Sequence, residues 1–472
     1  MKELKFIKVL TQIPKSELPK IEKFLASPYC NSNTLLFKLF ELVLPQIKSG
    51  KELITDKEEL WSKLIPNIKF NDLKWRKLCN EFLILLQKYF VFEQLSRNDL
   101  ASGNLLLEFI YEQRIEALYK SSTTHLQDEM DKHKNLSSEF HLQRFQFEKN
   151  LYNIQDYEIN LESRSNIETI HKHLDLFYIS EKTKQLVNTA SRRQFVNLPI
   201  EIKLEKQIID IVEKNDFLAF PEIDVYYRIY KLKQEKYSNK AYEELKEKLN
   251  NHLIKFSQID GVEILKEVIN FCSYQYNRGQ HNLGLEALQW YKYGLKFDLI
   301  FPSNKFNPGD FLNIVILGIR TKEFTWTENF IEDYQKIIPE DQKLTLVTFS
   351  LARLYFNQHK FELVIEKLRN VEFGELTYNL DSKVLLLATY FEVEEWQAMG
   401  SLADSFRTFL NRHEKDIAAA KKLRYSNFIK YIKKLSRVKY QDKPAKQRLL
   451  TEIQESEGIV NQGWLIEKAI AI

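Results

Sequence analysis

The sequence predicts an all-α protein, a helical N-terminal domain followed by an α-solenoid of helical hairpins. Three observations carry this expectation. Apolar residues recur at helical spacing along most of the chain. Gly and Pro number only 12 and 11 in 472 residues, which is too few for the tight turns of a large sheet and favours long helices with short connections. Strand signals are nearly lacking: Asp260-Gly261 is the one dipeptide of the Asn-Gly or Asp-Gly kind, and no alternating apolar run flanks it.

In sequence order, "LPKIEKFLA" sets Leu18, Ile21, Phe24 and Leu25 on one helical face. Pro28 pushes Ser27 out of the helical region and ends that helix. Asn31, Ser32 and Asn33 are N-cap residue types and open "TLLFKLFELVL". The stretch "FLASPYCNSN" therefore reads as a corner, with Tyr29 buried as a plug beside Cys30. "TDKE", Thr55 to Glu58, has the spacing of a capping box and opens "ELWSKLI", which Pro66 stops. Asn71-Asp72 caps "LKWRKLCNEFLILLQKYFVFEQL". These elements place an N-terminal domain at residues 1–100. Helical hairpins are expected over 101–197, where Ser165 and Glu168 form a second capping box, and paired helices over 198–472.

An internal period supports the pairing. Gly318 in "VILGIR", Ala352 in "FSLARLYF" and Ala388 in "LLLATYF" stand 34 and 36 residues apart, each in an apolar helix followed by a turn and a second helix. This is similar to the tetratricopeptide (TPR) pattern, in which a small residue lets the neighbouring helix approach closely. Ala352 and Tyr355 fit its small and aromatic positions. Thr321 replaces the aromatic of the first repeat, and Gly400 occupies the small position of the third repeat's second helix. The whole sequence also resembles an uncharacterised family of bacterial all-helical repeat proteins, through "KFLASPYCNSN", "LITDKEELWSKLIP", "FNDLKWRKLCNEFLILLQKYF" and "YNLDSKVLLLATYFEVEEWQAMGSLADSFRTFLNR". The resemblance implies helical repeats and no known activity.

The formal net charge of +4 is not the footprint of a dedicated nucleic-acid binder. Three scattered cysteines, Cys30, Cys79 and Cys272, make no disulfide framework. No stretch has the make-up of a signal peptide or a membrane span, so a cytoplasmic protein is expected. Phosphate loops, dinucleotide fingerprints, nucleophile elbows and H-E-x-x-H motifs are missing, and no cofactor or metal is expected. His125, His133, His141, His171 and His173 read as surface or packing residues. Cys79 and Cys272 read as buried small hydrophobes, and Glu392, Glu394 and Glu395 as a solvated turn between repeat helices.

The function these features suit is a non-enzymatic scaffold for a protein or peptide partner, held on the inner helices of the array. What the TPR resemblance implies for a groove falls on Leu312, Val315, Ile319 and Lys322, and on Leu346, Phe349, Arg353, Phe356 and Asn357 of the best-matching repeat. Lys322, Arg353, Phe356 and Asn357 are its candidate contact residues, in a mostly apolar groove suited to an amphipathic helix. The Lys and Asn set that clamps a C-terminal carboxylate in some TPR proteins is not matched, because Val315 and Ile319 stand in two of its places. A later helix such as Trp464–Ile472 could fill the same surface. The alternative is a DNA-binding regulator whose helix-turn-helix-like segment would offer Lys74, Arg76 and Lys77. Against it, that helix is apolar over most of its surface and no hairpin wing follows. A basic run from Lys421 to Arg448, with Asp442 its only acid, reads as a solvated helix face carrying an apolar stripe of Tyr425, Phe428 and Ile432.

Overall fold

The computed structural model describes residues 4–49, 56–133, 136–155, 165–196, 199–234, 237–371, 373–437 and 443–471. Among them are 23 α-helices and no β-strand. No helix of the described residues is long and apolar enough to cross a membrane. Two compact units are formed, Met1–Glu181 and Lys182–Ile472.

In the first unit, the helices Lys5–Gln12, Leu18–Ala26, Thr34–Ser49, Lys57–Leu64 and Asp72–Ser96 bury one core containing Phe6, Leu18, Phe40, Trp61 and Phe82. Asp72–Ser96 touches each of the first three. Asn71 caps it, its side-group oxygen accepting the Lys74 N–H at 2.9 Å. Aromatic rings then lock it edge-on, with Phe6 5.4 Å from Phe82 and Trp61 6.5 Å from Trp75. A second core, around Leu107, Leu126 and Phe147, joins Asp99–Glu112, Tyr119–Lys132 and Ser138–Gln155.

The first corner departs from expectation in one respect. The helix does end at Ala26, with Ser27 extended, and the next begins at Thr34. Tyr29, however, is 98% exposed and plugs nothing. The bend is tied by polar groups instead. The Asn31 amide donates to the Leu25 carbonyl at 2.8 Å, and its oxygen accepts the Asn33 N–H at 3.0 Å. Asn33 accepts the Leu35 N–H and donates to Glu81 at 3.0 Å. Asx groups meet the backbone at short range, so the turn closes without an aromatic.

One capping expectation shifts by a residue. Asp56, not Thr55, caps Lys57–Leu64, accepting from Glu58 and Glu59; Thr55 lies outside the described residues. The helix expected to follow the Ser165 box begins at Ile167 with Glu168 in its first turn, and the Asn166 carbonyl accepts the Ile170 N–H.

In the second unit, Pro308–Arg320, Glu340–Asn357, Leu376–Glu392 and Ala419–Leu435 each pack on the helix that follows and on the helix two places along. The small residues stand where helices meet. Ala352 and Ala388 are fully buried. A Cβ on Gly318 would come within 2.0 Å of the Thr327 hydroxyl. Gly400 is different, since nothing lies within 4 Å of a Cβ built there, and Ala403 is the buried small residue of Trp396–Arg412. The basic stripe of Ala419–Leu435 buries Tyr425, Phe428 and Ile432 as its periodicity requires. Acids from elsewhere meet its cations: Glu414 meets Lys422, Asp404 meets Lys433 and Glu452 meets Lys434. Asp442 lies outside the described residues.

Candidate functional site

Arg353 lies on Glu340–Asn357, whose first turn carries Glu340 and Asp341 near the positive end of the helix dipole. Four-residue steps put Phe349, Arg353 and Asn357 on one face. That face borders a concavity of about 290 Å³, completed by Asp381, Val384 and Leu385 of Leu376–Glu392 and by the turn at Val460 and Asn461. Asn461 is left-handed, with φ 55°, and leads into the helix Gln462–Ala471.

The floor is rigid. Phe349 is buried and packs edge-on against Tyr378 at 5.4 Å. The Arg353 guanidinium lies over the Phe349 ring at 5.7 Å. Among the described residues it forms no ion pair and no side-chain hydrogen bond. Burial depresses its pKa, the Asp381 charge opposes that effect, and Arg320 adds to it. Asp381 is engaged elsewhere, accepting the Tyr425 hydroxyl at 2.6 Å. Asn357 is exposed and donates its amide to the Arg353 carbonyl at 2.9 Å.

Of the four residues expected to line a groove, the structure brings Arg353 and Asn357 to this concavity. Phe356 packs on Phe361 at 5.6 Å, across the turn to the next helix. Lys322 is exposed in a left-handed turn at φ 61°. Val315, Ile319, Leu346 and Phe349 are all buried, so a mostly apolar open groove is not what these residues form. Sequence reasoning does not reach Asp381, Val460 and Asn461, because they stand far from Arg353 along the polypeptide and no local pattern joins them.

The C-terminal segment reaches the same region. Trp464 meets Phe391 at 5.4 Å and donates to Glu392 at 2.8 Å, and Lys468 pairs with Glu392 at 2.7 Å. Glu392 is therefore a half-buried tether and not part of a solvated turn.

A larger concavity of about 570 Å³ includes Arg193, Lys233, Tyr274 and Arg278. Its cations are already partnered: Arg193 by Glu205, Lys233 by Glu267 and Arg278 by the Tyr274 hydroxyl. The thiols of Cys79 and Cys272 are pushed up to about 12 by burial, so neither is a thiolate at neutral pH. Cys272 sits against Tyr242, whose hydroxyl also accepts from Trp290 and donates to Glu286, a satisfied structural cluster. No group of three or more potential ligands that could hold a metal lies among the described residues.

Lys74, Arg76 and Lys77 are exposed on Asp72–Ser96. Arg76 pairs with Asp72 at 2.6 Å and Lys77 approaches Glu81 at 4.0 Å, so acids share that face. The histidines hold one surprise: His141 and His173 meet through their Nδ1 atoms at 3.0 Å.

Compared with protein-family models, with curated proteins and with solved structures, the sequence matches none.

Proposed function

We propose that this protein is a non-enzymatic, cytoplasmic scaffold that holds a protein partner on a TPR-like array spanning 198–472, with the Arg353 concavity as a contact point. The carrying observation is an open concavity whose one central cation lies over the Phe349 ring and has no salt bridge or side-chain hydrogen bond among the described residues. Placing a charge where water is partly excluded is costly unless something pairs with it. The nearest-neighbour packing of the helices in 308–471 supports the array, because solenoid units touch mainly their neighbours and leave an extended surface for ligands. An amphipathic helix of a partner is the occupant proposed, and nucleic acid is not expected there, since Asp381 stands in the lining.

The test is capture by the full-length protein in its host. Asn357→Trp fills the concavity from an exposed position. We expect a partner protein captured in stoichiometric amount by the parent and lost from this variant, with the melting temperature unchanged. Identical capture by both proteins would overturn the proposal.

A further inference from the structure

We propose that the Arg353 concavity takes the carboxylate of an acidic residue presented by a partner helix. The inference rests on the partner-holding reading and gives it a chemical class.

Charge supply and demand point to a single anionic group. Among the described residues, Arg353 receives no carboxylate, although Asp381 borders the same concavity. The Asp381 carboxylate accepts the Tyr425 hydroxyl at 2.6 Å, while the guanidinium is held over the Phe349 ring at 5.7 Å. A guanidinium holds its N–H groups in one plane, and those of Arg353, which make no hydrogen bond among the described residues, are available to a planar acceptor. A carboxylate matches that fork with two parallel hydrogen bonds. Asp381 then selects among anions. It would repel a phosphate dianion more strongly than a carboxylate monoanion. Partial desolvation of the site strengthens the attraction, and the depressed pKa of Arg353 has that same origin.

Size and access agree. About 290 Å³ holds one or two amino-acid side groups, not a cofactor. Asn357 marks an exposed edge, and Val384 and Leu385 offer apolar contact to the methylenes of a glutamate. Capture of a terminal main-chain carboxylate is not implied, because Val315 and Ile319 are buried apolar residues where a second set of clamping groups would be needed.

The experiment uses the purified full-length protein and three probes: N-acetylglutamate methylamide and N-acetylglutamine methylamide, read by saturation-transfer proton NMR, and inorganic phosphate, read by the broadening of its phosphorus resonance. The expected result is millimolar binding of the glutamate probe and about tenfold weaker binding of its neutral analogue, as befits one charge-assisted contact. Arg353→Met should abolish the glutamate signal and raise the melting temperature, because an unpaired charge is replaced by an apolar group of similar length. Arg353→Lys should fold normally and bind several-fold more weakly, the charge kept and the fork lost. Equal binding of the glutamate and glutamine probes, preference for phosphate, or a lower melting temperature for Arg353→Met would each overturn the proposal. If the probes fail while Asn357→Trp still abolishes capture, the carboxylate assignment falls and the scaffold reading stands.

Discussion

At the scale of single residues, the first corner shows that polarity and not bulk closes the turn. Tyr29 is nearly fully solvated, so Tyr29→Ala should change stability by less than about 0.5 kcal/mol. Asn31→Ala removes a donor to Leu25 and an acceptor for Asn33, and should cost about 1–2 kcal/mol. Chemical denaturation of the two variants checks the ordering; a larger loss for Tyr29→Ala would reverse the argument. Residue-scale features are legible where the deciding contact is local. Asn71 and Pro28 act on neighbours within three positions, and both do what their chemistry requires. The exposure of Tyr29 is not legible, because burial is a tertiary property and an aromatic beside a proline carries no sign of it. Thr55 and Asp56 are both competent caps, and the choice between them turns on one residue of phase.

At the scale of elements, close helix approach and buried polar pairs set the stability. Gly318→Ala places a methyl against the Thr327 hydroxyl, which itself donates to the Glu323 carbonyl at 2.7 Å. The expected cost is about 1–3 kcal/mol, partly relieved when Thr327→Ala is added. Additivity in that double-mutant cycle would contradict the close contact. This approach is legible, because a small residue at each 34- to 36-residue step is a repeat signal. The contact between Ser138–Gln155 and Ile167–Val196 through His141 and His173 is not, since the two histidines are 32 residues apart and no periodicity joins them. It has a pH consequence. His173 is lowered from 6.5 to about 4, by burial first and then by the charges of His141, Arg144 and Lys172. Between those values the unfolded polypeptide holds the extra proton and the folded protein does not. Stability contributed at this site is therefore intact above pH 6.5 and falls as the pH drops toward 4. With screening at a partly exposed site, the loss should reach about 1–2 kcal/mol. His173→Gln should flatten this part of the pH–stability curve, and an unchanged slope would show that His173 does not titrate as described.

At the scale of the whole molecule, the all-helical class is legible from periodicity and from scarce Gly and Pro, both of which sum over hundreds of residues. The candidate site is legible only in part. Arg353 and Asn357 share one helix face, whereas Val460 and Asn461 reach them only through the tertiary fold. The competing DNA-binding reading makes a distinct prediction at this scale. With Arg76 paired to Asp72 and Glu81 near Lys77, duplex binding at about 150 mM salt should be weak and indifferent to sequence. A tight, sequence-selective complex lost on Arg76→Glu would replace the scaffold with a regulator. The measurement that tests the scaffold most directly is photocrosslinking in the host from a small aliphatic diazirine residue, about the size of leucine, placed at position 357, where it leaves the concavity open. The account predicts adducts to one other protein, which disappear when Arg353→Met is added. Adducts confined to residues 460–471 of the same molecule would contradict it, showing that the concavity is filled from within.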